Sequence, residues 1–147
     1  MRAVIQRVNH ANVLINQSIA RSINKGLVVL LGIETNDNSS DAEWLAAKIA
    51  RMRIFSDAEA LMNLSVVDVK GEVMVISQFT LHAITKKGNR PSFILAAKRE
   101  QAIPLYALFI GLLEKELNKK IVTGEFGADM QVTLTNDGPV TIIIDTK

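Results

Sequence analysis

The sequence contains no cysteine among its 147 residues. Disulfide bonds, thiolate nucleophiles and cysteine-based zinc sites are therefore excluded, and the composition suits a reducing compartment. Only two histidines occur, His10 and His82, so we expect no zinc site and no other metal. The longest apolar run, Leu27 to Leu31, is far shorter than the ~20 residues that cross a bilayer. Since Arg2 and Arg7 also interrupt the N-terminal apolar pattern too early for a signal peptide, we expect a cytoplasmic protein without a membrane partner.

The sequence also lacks the common motifs of hydrolases and nucleotide-binding enzymes. It contains no G-x-S-x-G elbow, no Walker loop, no G-x-G-x-x-G after a strand and no H-E-x-x-H helix. We therefore expect no cofactor and no conventional side-chain triad. An enzyme of this composition would depend on backbone N–H groups placed where negative charge develops on an oxyanion.

Length and hydrophobic patterning predict one α+β domain that spans residues 1–147. The chain is 48% hydrophobic and 22% charged, which is typical of a globular protein. Several strand-like runs predict a mostly antiparallel sheet, and Leu27–Leu31 resembles a strand buried on both faces. One helix is predicted to begin with a capping box at Ser40–Glu43, and a second helix is predicted from about Pro104 to Leu117.

The most informative stretch is the pentapeptide Ser77-Gln78-Phe79-Thr80-Leu81. It follows Val73–Ile76, whose β-branched residues predict a buried strand. Polar side chains then replace apolar ones without a Gly or Pro to end the strand. We interpret this polar tip as part of a pocket, either through its side chains or through unpaired backbone amides. The alternative is an ordinary strand end that is hydrogen-bonded in the sheet.

A second candidate segment is Asn136–Thr141, which has the sequence Asn-Asp-Gly-Pro-Val-Thr. Runs that resemble strands, Met130–Leu134 and Val140–Ile144, flank it on both sides. Because Asn, Gly and Pro are common in turns, the pattern predicts a tight turn between two strands.

His82 raises the question of a hydroxyl–imidazole pair. If the strand continued past Ser77, the side chains of Thr80 and His82 would lie on the same face. Such a pair could activate the Thr80 hydroxyl. However, residues two apart on a strand seldom align for proton transfer, and the sequence shows no carboxylate placed to orient the imidazole. The dyad therefore remains an alternative to backbone catalysis.

Charge is unevenly distributed, although the net charge is only +2. The segment from His82 to Arg99 contains no acidic residue but five basic ones: Lys86, Lys87, Arg90, Lys98 and Arg99. Such a segment either contacts phosphates of a nucleic acid or is a solvated loop and helix face.

Several motifs together resemble one protein family. Ile5-Gln6-Arg7-Val8, Ser77–Leu81, Lys-Gly-x-Arg-Pro-Ser-Phe at 87–93, Phe126–Met130 and Asn136–Thr141 occur in this order. With these motifs the whole chain resembles a D-aminoacyl-tRNA deacylase of the bacterial and eukaryotic type. The resemblance implies that family's barrel-like sheet with two main helices. It also implies a homodimer that hydrolyses the ester between a D-amino acid and the 3′-terminal adenosine of tRNA.

The resemblance also implies roles for individual residues. Ser77, Gln78, Phe79 and Thr80 would form the catalytic wall, with backbone amides near Phe79 and Thr80 facing the scissile carbonyl. Substrate binding would involve five further residues: Gly138, Pro139, Arg7, Phe126 and Met130. Gly138-Pro139, as a cis peptide, would enter the partner subunit's pocket and exclude L side chains, Arg7 would brace that loop, and Phe126 and Met130 would lie near the pocket wall.

The implied mechanism predicts broad specificity for D-amino acids, because exclusion of L side chains needs no attractive contact. Glycine has no side chain to exclude, so glycyl-tRNA mischarged on tRNA-Ala should also be cleaved. In the family the ribose 2′-OH is thought to assist hydrolysis, and Thr80 as nucleophile is the alternative. The chain departs from common family patterns at His82, where Tyr or Phe is frequent, and at Asn89, where a basic residue is commoner.

Overall fold

The structure is a computed structural model that describes all residues from Met1 to Lys147. Its strands are Arg2–Ile15 (β1), Ile19–Ile23 (β2), Gly26–Gly32 (β3), Phe55–Ser56 (β4), Met62–Leu64 (β5), Glu72–Ser77 (β6), Val122–Thr123 (β7) and Met130–Asp145 (β8). The helices are Ser39–Arg51 (α1) and Arg99–Leu117 (α2), and residues Phe79–His82 form a 3₁₀ turn. Neither α-helix is long and apolar enough to cross a membrane.

The long strand β1 organises the main sheet. One of its edges pairs with β3 near the start and with β2 near the end, and its other edge pairs with β8. These three pairings are antiparallel, whereas β3–β6 and β6–β7 are parallel. The expected α+β fold with a mostly antiparallel sheet and two main helices is confirmed.

Two apolar clusters lie on opposite faces of this sheet. Leu27 and Val29 of β3 belong to a cluster of 22 buried residues that also includes the inner faces of α1 and α2. Val28 belongs to a second cluster of 8 buried residues, against which Met130 and Val132 of β8 pack. Since successive side chains of a strand point to opposite faces, β3 is buried on both sides, as its sequence predicts.

Helix α1 begins earlier than the sequence predicts. The capping residue is Asn38, whose side chain accepts a hydrogen bond from the Ser40 N–H, while Asp41 accepts one from the Asn38 N–H. The predicted capping box at Ser40–Glu43 was therefore wrong by two residues. Burial raises the pKa of Asp41, but hydrogen bonds from the Asn38 backbone, Lys147 and Thr146 outweigh it and lower the pKa to about 2.

Helix α2 also begins earlier, at Arg99, and therefore contains Pro104 in its second turn. The prediction of a start near Pro104 was wrong. Proline lacks the N–H that would donate to the carbonyl four residues back. Proline is therefore favoured in the first turn of a helix, where that hydrogen bond is not formed. Here the carbonyl concerned belongs to exposed Glu100, where water can replace the missing donor.

The Asn136–Thr141 segment is not a turn between two strands, so that prediction was wrong. β8 runs continuously past it, with Gln6 opposite Thr141 and Val8 opposite Asn136. The four residues from Asp137 to Val140 are thus accommodated opposite the single residue Arg7. They form a bulge in β8, which we call the projecting loop.

Candidate functional site

A cavity of about 340 Å³ opens where β6 ends. One wall comes from Ser77, Gln78 and Phe79, at and just after the end of β6. The opposite wall is formed by residues 126–130 and by Val132. The other lining residues, which we call the floor, are five small or apolar side chains: Leu31, Ile33, Ile76, Ala97 and Ala102. A volume of this size is typical of a site for a small organic group.

The chain bends sharply after Ser77 instead of continuing as a strand. The Gln78 N–H still donates to the Leu31 carbonyl at 2.8 Å, as the last rung of the β3–β6 pairing. The Leu81 N–H then donates to the Gln78 carbonyl at 3.3 Å, and the Ala83 N–H donates to the Thr80 carbonyl at 3.1 Å. These bonds form the 3₁₀ turn, so the polar tip is a turn and not a strand end.

The bend leaves two backbone donors unused. The first hydrogen bond of the 3₁₀ turn comes from the Leu81 N–H, so the N–H groups of Phe79 and Thr80 have no acceptor within the turn. The Thr80 hydroxyl accepts a hydrogen bond from the side-chain amide of Gln78. Because Phe79 lines the cavity and Thr80 is the next residue, these donors lie at the edge of the cavity.

His82 does not share a strand face with Thr80, because both residues lie in the 3₁₀ turn. No hydrogen bond joins the two side chains, so the condition for a strand-based dyad is absent. The imidazole is buried, and its Nδ1 lies 3.5 Å from a carboxylate oxygen of Glu34, while its Nε2 has no partner. Glu34, from a segment distant in sequence, is the carboxylate near this imidazole, but no hydrogen bond joins the two side chains.

The opposite wall is supported by aromatic packing. The ring of Phe126 packs edge-on against Tyr106 of α2, with ring centroids 5.9 Å apart. The Tyr106 hydroxyl donates to the Val75 carbonyl of β6 at 3.0 Å. Burial raises the pKa of Tyr106 to about 12, against a small lowering by Arg21. Tyr106 therefore joins α2 to the strand that carries the catalytic candidates.

The projecting loop lies apart from this cavity. Gly138 and Pro139 are exposed, line no part of the cavity and are joined by a cis peptide bond. Gly138 has φ +130°, which favours glycine, and a Cβ there would lie 2.9 Å from Val140 Cγ2. No other residue type would fit this position without a change in the loop.

Two polar side chains fix the base of the projecting loop. The guanidinium of Arg7, which is buried, donates from Nε to the Asp137 carbonyl at 3.1 Å and from Nη1 to the Ile54 carbonyl at 2.6 Å. Arg7 also pairs with the Asp137 carboxylate at 3.1 Å. From the other side, Asn136 accepts a hydrogen bond from the Val140 N–H at 2.7 Å. The exposed tip is thus mounted on an ordered base.

The predicted site residues therefore fall into two groups. Five of them line the cavity, namely Ser77, Gln78, Phe79, Phe126 and Met130, and Thr80 adjoins it. The other three, Arg7, Gly138 and Pro139, form or brace the projecting loop. The floor residues could not be recognised from the sequence, because small or apolar side chains resemble ordinary core.

Sequence relatives of this chain are described as D-aminoacyl-tRNA deacylases. A family model described as D-Tyr-tRNA(Tyr) deacylase matches residues 4–145. A D-aminoacyl-tRNA deacylase of Flavobacterium psychrophilum is 60% identical over the whole chain and 98% of its own length. That of Cytophaga hutchinsonii is 61% identical with the same coverage.

Solved structures show the same fold. One described as a c-Myc DNA unwinding element binding protein has a TM-score of 0.91 and 40% identity, over 99% of this chain and 98% of its own. Another, described as a probable eukaryotic D-amino acid tRNA deacylase, has a TM-score of 0.86 over 97% of both chains. At 14% identity the second likeness concerns the fold alone.

The fold and these matches define a hydrolase that acts on aminoacyl-tRNA. Specifically, the chain belongs to the D-aminoacyl-tRNA deacylase family, as its motifs indicate. Members of this family hydrolyse D-aminoacyl-tRNA, and the cavity, its unpaired amides and the projecting loop are the features from which its mechanism can be argued.

Proposed function

We propose that the protein removes D-amino acids, and glycine mischarged on tRNA-Ala, from the 3′-terminal adenosine of tRNA in the cytoplasm. The cavity wall of one subunit and the projecting loop of a second subunit would together form each site. L-Aminoacyl-tRNA would be spared, so that the reaction acts as chiral proofreading in translation. The whole chain, residues 1–147, acts as one catalytic domain.

The observation that carries this proposal is the pair of unpaired N–H groups of Phe79 and Thr80. During ester hydrolysis, water adds to the carbonyl carbon and the carbonyl oxygen becomes an oxyanion. Backbone N–H groups that are already oriented can stabilise this oxyanion without reorganising. Two such donors side by side at the edge of a cavity are the arrangement that this step needs.

Proton transfer in this mechanism does not depend on a protein base. The tetrahedral intermediate collapses as the bond from carbon to the ribose oxygen breaks, and that oxygen takes up a proton. The attacking water loses a proton in the same sequence, with the neighbouring 2′-OH of the ribose as the group that assists. The products are the free amino acid and tRNA.

Thr80 as a covalent nucleophile is the second candidate for this step. Its hydroxyl oxygen lies at the cavity edge, but it accepts a hydrogen bond from Gln78 and has no hydrogen-bonded base that would remove its proton. The Thr80→Ala variant distinguishes the two mechanisms. Backbone catalysis predicts that most deacylase activity is retained, whereas a nucleophilic hydroxyl predicts its loss.

Three features support a site shared between two subunits. The projecting loop is ordered at its base but lines no cavity in its own chain. It is carried by β8, which pairs only with β1 and therefore leaves a long edge free. Large apolar side chains are exposed on β8 and beside the cavity, among them Ile143, Phe79 and Ile94. Free edges and exposed apolar groups of this kind are usually covered.

Exclusion explains the expected choice of substrate. A rigid loop at the cavity mouth can fix the amino group and fill the space that an L side chain would need. A D side chain points elsewhere and glycine has none, so both would be accepted. The selectivity then arises from a clash and not from a specific pocket for each side chain.

The test is a deacylation assay with purified protein on three substrates: D-Tyr-tRNA, L-Tyr-tRNA and glycyl-tRNA-Ala. We expect rapid release of D-tyrosine and glycine and no acceleration of L-tyrosine release over buffer. Equal hydrolysis of the two tyrosyl enantiomers would contradict the proposed function.

A second candidate is nucleic-acid binding without chemistry. The unpaired cations in the loop at 86–90 favour contact with phosphates, and one relative in structure is described as a DNA-binding protein. This candidate predicts affinity for tRNA or for DNA with no turnover of any aminoacyl ester. The same deacylation assay, run beside a binding measurement, separates the two candidates.

A further inference from the structure

We propose that a cationic rim beside the cavity mouth binds backbone phosphates of the RNA strand whose 3′ end enters the cavity. The rim consists of Lys86, Lys87 and Arg90 in one loop and Arg99 at the start of α2. This inference rests on the proposed function, since it assigns the surface that holds the RNA part of the same substrate.

The loop that carries three of these cations is tied to the cavity mouth. Its base is closed by Ile84 and Ser92, whose N–H and carbonyl groups exchange two hydrogen bonds of 2.8 and 3.0 Å. The next residue, Phe93, packs edge-on against Phe79 with ring centroids 5.2 Å apart. Because Phe79 lines the cavity, the base of the loop lies at its mouth.

The cations themselves lie close to this base and are free. Lys86 and Arg90 are each two residues from the bonded pair, so at most ~7 Å of backbone separates them from it. Lys86, Lys87 and Arg90 are all exposed, and none of them forms a salt bridge within the chain. Their charge is therefore available to a ligand.

Arg99 places a fourth cation beside the opposite wall. Its guanidinium lies 6.0 Å from the centroid of the Phe126 ring and close to Gly127, and both of these residues line the cavity. Arg99 forms no salt bridge within the chain. A guanidinium over an aromatic ring keeps its N–H edge available for a phosphate. Cations thus lie near two of the segments that line the cavity, one at Phe79 and one at Phe126 and Gly127.

An RNA strand is the partner that this charge pattern fits. No acidic residue occurs between His82 and Arg99, so the rim is uninterrupted along the chain. A substrate whose ester enters the cavity must continue outward as a chain of phosphates. Contacts with those phosphates would add affinity without base specificity and would weaken with salt.

The test compares the triple variant Lys86→Ala/Lys87→Ala/Arg90→Ala with wild type on two substrates, full-length D-Tyr-tRNA and the D-tyrosyl ester of adenosine. On tRNA we expect KM to rise about tenfold or more at low salt, with kcat changed less than about twofold. The slope of log(kcat/KM) against log salt should become shallower by about 2, since three phosphate contacts are removed. On the adenosine ester we expect no change.

A matched control variant removes three other exposed, unpaired lysines: Lys25→Ala/Lys48→Ala/Lys115→Ala. Lys25 lies at the opposite end of β6 from the cavity, and Lys115 lies at the opposite end of α2 from Arg99. This control should behave as wild type. An equal rise of KM in the control would show a general effect of net charge and would overturn the proposal.

Other outcomes also overturn it. An unchanged KM for tRNA in the rim variant would mean that the loop is merely solvated and does not bind phosphates. An equal loss of kcat/KM on both substrates would mean that the substitutions affect catalysis. Loss of affinity for duplex DNA with an unchanged KM for tRNA would assign the rim to DNA. If wild type hydrolysed neither ester, the proposed function itself would fail, which is a distinct result.

Discussion

The cavity wall and the projecting loop are ordered by different means. Ser77 to Thr80 continue from β6, whose residues Val73–Ile76 are buried in the two apolar clusters. The wall is thus positioned by the core of its own domain. The projecting loop leaves the sheet instead and is held by a few polar contacts from Arg7 and Asn136.

This difference separates two tasks that one site must perform. A wall built on the core can keep two N–H groups oriented toward a developing charge. A loop that stands away from its own domain can enter another subunit and act as a barrier there. The wall should therefore determine the rate of hydrolysis, and the loop should determine which enantiomer reaches the wall.

The largest effect is expected where an N–H group of the wall is removed. Phe79→Pro deletes the N–H at the first position of the 3₁₀ turn, where proline is sterically tolerated. Loss of one oxyanion donor should lower kcat for D-Tyr-tRNA by about 10²–10³. Phe79→Ala, which keeps the N–H, is the matched control and should lose much less. Similar losses in both variants would assign the effect to the ring.

Substitutions in the projecting loop should change the D/L selectivity more than they change the rate of D-Tyr-tRNA hydrolysis. At φ +130°, Gly138→Ala introduces a Cβ against Val140 and Arg7 and should distort the tip. Backbone strain at such a position costs about 1–3 kcal/mol, which is enough to shift the loop. Because a shifted loop should exclude an L side chain less well, we expect the D/L selectivity ratio to fall about tenfold or more. Ratios of initial rates on the two tyrosyl-tRNA enantiomers measure this effect. An unchanged ratio with altered assembly would mean that the loop is only a dimer contact.

The brace of the loop should contribute to stability as well as to selectivity. Arg7→Met removes the donor to the carbonyls of Ile54 and Asp137 and leaves the partly exposed Asp137 carboxylate unpaired. We expect a loss of about 1–3 kcal/mol in the free energy of unfolding, measured by urea denaturation. Arg51→Met removes an exposed ion pair with Glu116 and should cost less. Equal costs would contradict the role of Arg7 as a brace.

The smallest effect is expected at Tyr106, which joins α2 to the strand that precedes the cavity wall. Tyr106→Phe removes the hydrogen bond to the Val75 carbonyl and should cost about 1 kcal/mol at neutral pH. Since the folded pKa is raised from 10 to about 12, wild type should lose stability relative to Tyr106→Phe as pH rises from 10 to 12. The measurement is the difference in the free energy of unfolding between wild type and Tyr106→Phe across this pH range. A constant difference would contradict the burial of the hydroxyl.

The sequence predicted features that depend on local patterns. The apolar run Leu27–Leu31 indicated a strand buried on both faces, and the polar change after Ile76 indicated the cavity wall. Both patterns lie within a few consecutive residues, so no distant partner is needed to recognise them. The start of α1 was harder, because Ser40–Glu43 fits the usual capping-box pattern, whereas the helix uses Asn38 and Asp41 two residues earlier.

Features that depend on distant partners could not be predicted. The 3₁₀ turn packs against a residue distant in sequence, since a Cβ at Gly32 would lie 3.0 Å from the Gln78 carbonyl oxygen. The projecting loop becomes a bulge because the register of β1 places Arg7 alone opposite it. The partner of His82 was missed for the same reason, since Glu34 approaches it only in the folded chain.

The central claim is that each site combines the wall of one subunit with the loop of another. Its most direct test is a heterodimer, purified through two different tags, of one Phe79→Pro chain and one Gly138→Ala chain. If sites are shared, one of the two sites has both parts intact, so about half of the wild-type activity and full D/L selectivity should return. If each chain uses its own loop and wall, the only site with an intact wall carries the Gly138→Ala loop, so the heterodimer should keep the reduced D/L selectivity of the Gly138→Ala parent.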